Sequence, residues 1–386
     1  MFDPNHVDLD ILKQRAYNHR WAEVPDEVIP LTAADPDLQC APAIADAVAK
    51  YAQDRYFSYG PAEGLPEFKE AVAGYYQTHR SVHASPAQVM AVDTAAYGIY
   101  LTCKTLLSPG DEAVIFNPVD FLFRYGIEAA GATAIPLSIP QSPGTVDIEM
   151  LEQLITPKCK LLCLCNPLNP TGKVFTPEEL QVFADMAEKH NLYVLSDEIW
   201  SDIVFFPAKF TSIASISDSA RSRTILVNGF SKSYGLAGLR IGSLVAPDEA
   251  LFQKLLQVSR HESTVHGANT IGQVAAIAAL NESQDWLADF VTHLHHMRDL
   301  VVNRLNALPG IICQPPDGCY LAFANISGTG MTSEALQSKV LEEAKVMIVP
   351  GIDKWFGDGA KNHVRISFAT SPDILNEAFD RMKSII

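Results

Sequence analysis

From residue 88 to residue 247, short apolar runs alternate with segments whose apolar residues return every three or four positions. The runs are QVMAVD (88–93), EAVIFN (112–117), TAIPLS (133–138), KLLCLCN (160–166), LYVLSD (192–197), TILVNG (224–229) and GSLVAP (242–247). Runs of this length, rich in β-branched residues, read as strands, and many are too continuously apolar to leave one face in water. Helical periodicity runs through 96–107, 120–130, 177–189 and 248–259 between them, and through 42–53 and a segment from about Pro66 before them. Strands and helices alternating in this way predict an α/β unit with a mostly parallel sheet between helices.

After residue 270 the pattern changes. A long helical stretch (270–307) precedes shorter elements, CYLAFANI, KVMIVPG and HVRISFA, set between helices at 333–345 and 372–385. This reads as a smaller α+β unit, joined by the irregular, proline-containing lead-in RWAEVPDEVIPLTAADPDL. The expected division is a large domain over 45–280 and a small one over 1–44 and 281–386. No internal repeat or low-complexity segment interrupts it.

Composition narrows the function. The 386 residues are 48% apolar with a net charge of -16, and the basic residues are not clustered. Nucleic acid and anionic membranes are poor partners for such a chain. The N-terminus lacks a basic segment followed by an apolar core, and no stretch approaches the roughly 18 apolar residues of a spanning helix. The seven cysteines lie mostly inside apolar runs. Cys163 and Cys165 share one strand face without His or Cys companions, so they read as buried thiols and no metal site is expected. A cytoplasmic location follows.

In open α/β sheets, ligands bind outside the carboxyl ends of the strands. Several polar residues follow the apolar runs there. Thr94-Ala95-Ala96 opens a helix with free backbone N–H groups, an anion site. Asn169 lies in the rigid NPLNPTG turn. Asp197 ends LYVLSD. Ser231-Lys232 follow TILVNGF, in a glycine-rich turn where a desolvated lysine becomes a neutral nucleophile, and Arg240 stands eight residues on. Singly, each has a plainer reading: a turn asparagine, a capping aspartate, a structural lysine. Together they offer an aldehyde-reactive amine, a phosphate nest, a carboxylate for a ring nitrogen and an amide for a ring oxygen. That set matches pyridoxal phosphate.

NPLNPTG, SDEI and SKSYGLAGLRIG together resemble the fold-type I pyridoxal-phosphate enzymes of the class I/II aminotransferase superfamily, over nearly the whole chain. The resemblance implies a seven-stranded, mostly parallel sheet and a homodimer. It implies that Lys232 carries the cofactor as a Schiff base and moves protons during the reaction. Asp197 would hold the ring nitrogen protonated and Asn169 the phenolic oxygen. Thr94, Ala95, Ala96, Ser231 and Arg240 would surround the phosphate, with Tyr59 reaching the neighbouring subunit's phosphate. Arg365 would pair with the substrate α-carboxylate, its planar fork matching a carboxylate. An L-amino acid and a 2-oxo acid are the implied substrates.

Four positions depart from that pattern. Asp120 stands where an aromatic residue usually stacks on the ring, so either Phe121 or Phe123 does so from a shifted register or nothing does. Trp200 replaces a tyrosine; an indole donates but does not accept. Gly229 replaces a phosphate-binding serine, and Ala34 a glycine lining the substrate site. The lead-in and SDEIWSDIVF are instead similar to the cystathionine β-lyase-like branch, which keeps open elimination of a thiol to give pyruvate and ammonia. Arg260, in SRHESTVHGAN, is a candidate for an acidic substrate side chain. A nicotinamide enzyme is disfavoured because no G-x-G-x-x-G follows an early strand. A non-catalytic pyridoxal-binding dimer would not require so complete a site.

Overall fold

The computed structural model describes residues 2–3, 6–139 and 146–386; the anticipated domains also span 1, 4, 5 and 140–145, which lie outside the described residues. In chain order the strands are β1 (Ile29–Pro30), β2 (Val89–Val92), β3 (Glu112–Asn117), β4 (Thr133–Ser138), β5 (Cys159–Cys165) and β6 (Tyr193–Asp197). They continue as β7 (Thr224–Gly229), β8 (Gly242–Val245), β9 (Leu321–Asn325), β10 (Val346–Met347), β11 (Val349–Pro350) and β12 (His363–Ser367).

Seven of them form one sheet in the order β2-β8-β7-β6-β5-β3-β4. All neighbours from β4 to β7 are parallel; β8 runs antiparallel to both β7 and β2. The seven apolar runs of the sequence are these seven strands. The inner strands β5, β7 and β8 are almost wholly buried, because helices cover both faces of the sheet. β4 is one of the two edge strands, half exposed, where Pro136 costs no ladder hydrogen bond.

Several helices begin where short polar side chains satisfy their first N–H groups. Thr176 and Glu179 form a capping box on Pro177–Lys189, and Asp248 caps Glu249–Ser259. The single helical stretch read over 270–307 is two helices, Thr270–Glu282 and Gln284–Asn306, broken at Ser283. The apolar periodicity runs on through the break. Ser283 turns its hydroxyl back to the Ala278 carbonyl at 3.1 Å, a side-chain bond that competes with the helix ladder.

A three-stranded antiparallel sheet, β11-β12-β9, carries the C-terminal part. The lead-in is not wholly irregular: β1 pairs in parallel with β10, and the Ser367 N–H donates to Leu31 O at 3.0 Å. A buried ion pair between Arg20 and Asp37 and a 2.7 Å bond from the Trp21 indole to Asp37 fold the lead-in back on itself. This brings residues 32–34 beside the ends of the large sheet. Among the described residues, no helix is long and apolar enough to cross a membrane.

Candidate active site

The register aligns Cys165 with Asp197 and Asp197 with Val227, so β5, β6 and β7 finish level with one another. The turns that follow these ends, with that after β2, surround a cavity of about 320 Å3. It is lined by Ala34, Thr94, Ala95, Ala96, Asn169, Asp197, Trp200, Ser231, Lys232, Arg240 and Arg365. The residues anticipated in the site are therefore brought together, except Phe121, Tyr59 and Arg260.

Lys232 donates from Nζ to Ala34 O at 2.6 Å, and the Tyr320 hydroxyl donates to the same carbonyl at 3.1 Å. Burial lowers the lysine's pKa, with Arg365 acting in the same direction and Asp35, Asp120 and Asp197 opposing. Asp197 is 6% exposed, and burial raises its pKa to about 7. The Ile199 N–H, at 3.2 Å, is the hydrogen-bond donor that its Oδ1 meets. A carboxylate buried at a cavity wall without a cation of its own fits a ligand that brings a protonated ring nitrogen.

At the far end of the sheet edge, Thr94 Oγ1 accepts from Tyr97 N at 3.0 Å and caps the helix Ala95–Leu106. Thr94, Ala95 and Ala96 border the cavity at that helix start, where free N–H groups and the helix dipole stabilise an anion. Close packing fixes this position: a Cβ on Gly242 would lie 2.9 Å from Ala95 N and 2.8 Å from Asn228 O. A Cβ on Gly229 would meet Ile199 and Ala95 at 3.2 and 3.4 Å, so a serine there would crowd the helix start. Arg240 takes a left-handed backbone, φ 50°, and Asn269 Nδ2 holds the turn by donating to Leu239 O and Arg240 O at 2.9 and 3.0 Å.

Asn169, Asp120 and Arg365 form a chain of bonds across the cavity. Asn169 Nδ2 donates to Asp120 Oδ2 at 2.8 Å, and Arg365 Nη1 donates to Asn169 Oδ1 at 3.2 Å. Arg365 Nη2 donates to Thr32 O at 3.3 Å, while Nε has no protein partner. A buried guanidinium with an orphaned N–H suits an incoming carboxylate.

Three of the anticipated residues lie outside this cavity. Phe121 does not stack over this cavity: it is 38% exposed and packs edge-on against Trp355, ring centroids 5.4 Å apart. The helix Leu122–Ala129 starts just after it, and residues two apart on a helix point to nearly opposite sides. The buried Phe123 lines the cavity instead. Tyr59 is 86% exposed and contacts the ring of His266, outside this chain's cavity. Arg260 is an exposed left-handed helix cap that lines none of the cavities described here.

Tyr320 and Asp35 were not anticipated: Tyr320 lies outside every motif, Asp35 follows Ala34 without a motif of its own, and folding brings both to Lys232. Trp200 stands edge-on to Tyr320 at 4.7 Å, its ring centroid 5.6 Å from Lys232 Nζ. Among the described residues no group of three or more His, Cys, Asp or Glu could hold a metal ion.

The family described as aminotransferase class I and II matches residues 26–382. The chain belongs to that family. An aspartate aminotransferase of Pyrococcus horikoshii is 32% identical over 366 residues, covering 94% of this chain and 91% of that protein. The crystal structure of an aromatic aminotransferase from the same organism superposes with a TM-score of 0.87 at 29% identity, covering 95% of this chain and 97% of that one. Cystalysin from Treponema denticola, whose structure contains pyridoxal 5'-phosphate, has a TM-score of 0.91 at 22% identity over 100% of this chain and 98% of its own. That last likeness speaks for the fold alone. The chain is a pyridoxal-phosphate-dependent aminotransferase, and β-elimination gains no support over transamination from the family it belongs to.

Proposed function

We propose that Lys232 is the lysine that carries pyridoxal phosphate and that the aminotransferase reaction runs at the cavity around it. The observation that carries this reading is a single cavity holding a desolvated amine, an unpaired buried carboxyl and a buried arginine with an orphaned N–H. When bound, the cofactor supplies a carbonyl that takes up the substrate's amino group and a protonated ring that withdraws electrons from Cα.

Asp197 keeps the ring nitrogen protonated. The N–H groups at Ala95 and Ala96, with Thr94, Ser231 and Arg240, hold the phosphate. Asn169 keeps one amide proton on Asp120 and turns the other toward the phenolic oxygen. Arg365 grips the substrate α-carboxylate with its fork, which places Cα near Lys232. Lys232, its basicity lowered by burial, then takes the proton from Cα, and the Ala34 carbonyl that it leaves keeps its bond from Tyr320.

We also propose that the working form is a homodimer in the cytoplasm. The run 55–60 presents Tyr56, Phe57 and Tyr59 at 79%, 63% and 86% exposure, an apolar surface that a second copy would cover. Tyr59 would then reach the partner's phosphate. All seven cysteines are free thiols, in keeping with a reducing compartment. Residues 45–280 are proposed as one domain, and 1–44 with 281–386 as the other.

Adding cystathionine without any oxo acid to the loaded enzyme tests the reaction. Transamination gives one equivalent of spectral change per site and then stops. Pyruvate accumulating over many turnovers would instead establish elimination. Tyr59→Phe should weaken pyridoxal phosphate binding, and sedimentation should report a dimer; a monomer that binds the cofactor normally would remove Tyr59 from the site.

A further inference from the structure

A second cavity, of about 470 Å3, meets the first at Asp120 and Arg365, which line both. Its walls are largely apolar, with Val24, Phe121, Met347, Val349, Trp355 and Phe356 among them. Phe121 and Trp355 stand edge to face, and Phe121 is left 38% exposed. The Phe356 ring lies 5.1 Å from the Arg365 guanidinium. Apolar rings uncovered in a concave wall beside a few directed polar groups are what a ligand's apolar part fills. The segment Thr32-Ala33-Ala34 joins the two spaces: Ala34 lines the first, and Thr32 and Ala33 the second.

Given the reading of Lys232 and Arg365 above, on which this step rests, we infer that the second cavity receives the substrate's side chain. We further infer that it selects L-amino acids with a large apolar or aromatic side chain. A substrate with its carboxylate on Arg365 and its amine toward Lys232 has its Cα at the junction, and the remaining substituent has the second cavity to enter.

The charges around that cavity disfavour a second carboxylate. Arg20 is ion-paired with Asp37, His19 faces Glu23 at 2.9 Å, and Arg365 is committed to the α-carboxylate. Asp120, half-buried at the junction of the two cavities, would lie against the added negative charge. Asp120 thus acts as the residue that rejects dicarboxylic substrates, while Phe121 and Trp355 favour apolar ones.

The test titrates the loaded enzyme with two unreactive carboxylates, 3-phenylpropanoate and succinate, following the visible spectrum and the heat of binding. 3-Phenylpropanoate should bind about tenfold or more tightly than succinate. Trp355→Ala and Phe121→Ala should each reduce that ratio. Asp120→Asn, which removes the charge and whose single amide oxygen can accept from only one of Leu122 N–H and Asn169 Nδ2, should raise succinate affinity about tenfold. The half-reactions of L-phenylalanine and L-aspartate should follow the same order. Tighter binding of succinate by the wild type, or a ratio unmoved by all three substitutions, would overturn the inference. A protein that gains no visible band with pyridoxal phosphate would sink the Lys232 reading itself; a loaded enzyme that converts aspartate and ignores phenylalanine would sink only the pocket assignment.

Discussion

Asp197→Asn should stabilise the cofactor-free protein at neutral pH and weaken its hold on the cofactor. In the folded chain burial moves the Asp197 carboxyl from its ordinary 3.8 to about 7. Between those values the folded state holds a proton that the unfolded chain has released. Stability contributed at this site is therefore full below about pH 4 and is lost as pH rises toward 7. The gap of about 3 pH units, at about 1.36 kcal/mol each, corresponds to about 4 kcal/mol by pH 8.

Asparagine does not ionise, and its Oδ1 can still accept from Ile199 N–H. The cofactor-free variant should therefore match the wild type near pH 4 and exceed it by up to about 4 kcal/mol at pH 8. Urea unfolding from pH 4 to 8, at fixed protomer concentration, measures the difference. Glu198 is also raised to about 7 by burial and repels the Asp197 carboxylate, so the difference between the two proteins includes the relief of that repulsion. Pyridoxal phosphate should reverse the order, because a protonated ring nitrogen gives the wild-type carboxylate its missing partner. Identical pH profiles for the two cofactor-free proteins would refute the burial argument. Equal cofactor affinity would refute the assigned role of Asp197.

Arg365→Lys replaces a planar fork by a point charge at the anchor for the α-carboxylate. Losing one charge-assisted bond, at about 1.5–3 kcal/mol, should raise KM for both the amino acid and the oxo acid by about tenfold to a hundredfold, read from initial rates. Gly242→Ala should cost about 1–3 kcal/mol, because its Cβ would press on Asn228 O and on the backbone of Thr94 and Ala95. The same shift should weaken binding of inorganic phosphate to the cofactor-free protein, whereas unchanged phosphate affinity would detach the helix start from the phosphate site.

The large sheet was legible because its strands are continuous apolar runs bounded by turns, a pattern that tertiary contacts reinforce. Asp197, Lys232 and Arg240 were legible for a related reason: Asp197 ends β6, the other two follow β7, and parallel strands deliver their ends to one place. The break at Ser283 was not, since periodicity carries through it and a single hydroxyl decides it. The β1–β10 pairing was hidden because two residues make no pattern. Phe121 was misplaced for want of the helix start, which sets whether 121 or 123 faces inward. Tyr320 reaches Lys232 through Ala34, across 286 positions of chain, and no local motif marks it.

The central claim is that Lys232, and no other lysine, binds pyridoxal phosphate. Reducing the loaded enzyme with borohydride makes the carbon–nitrogen link permanent, and mass spectrometry of the digested protein then locates it. One pyridoxyl phosphate per chain on the peptide containing Lys232 is the predicted result. A label on another lysine, or none on a protein that transfers amino groups, would contradict the account.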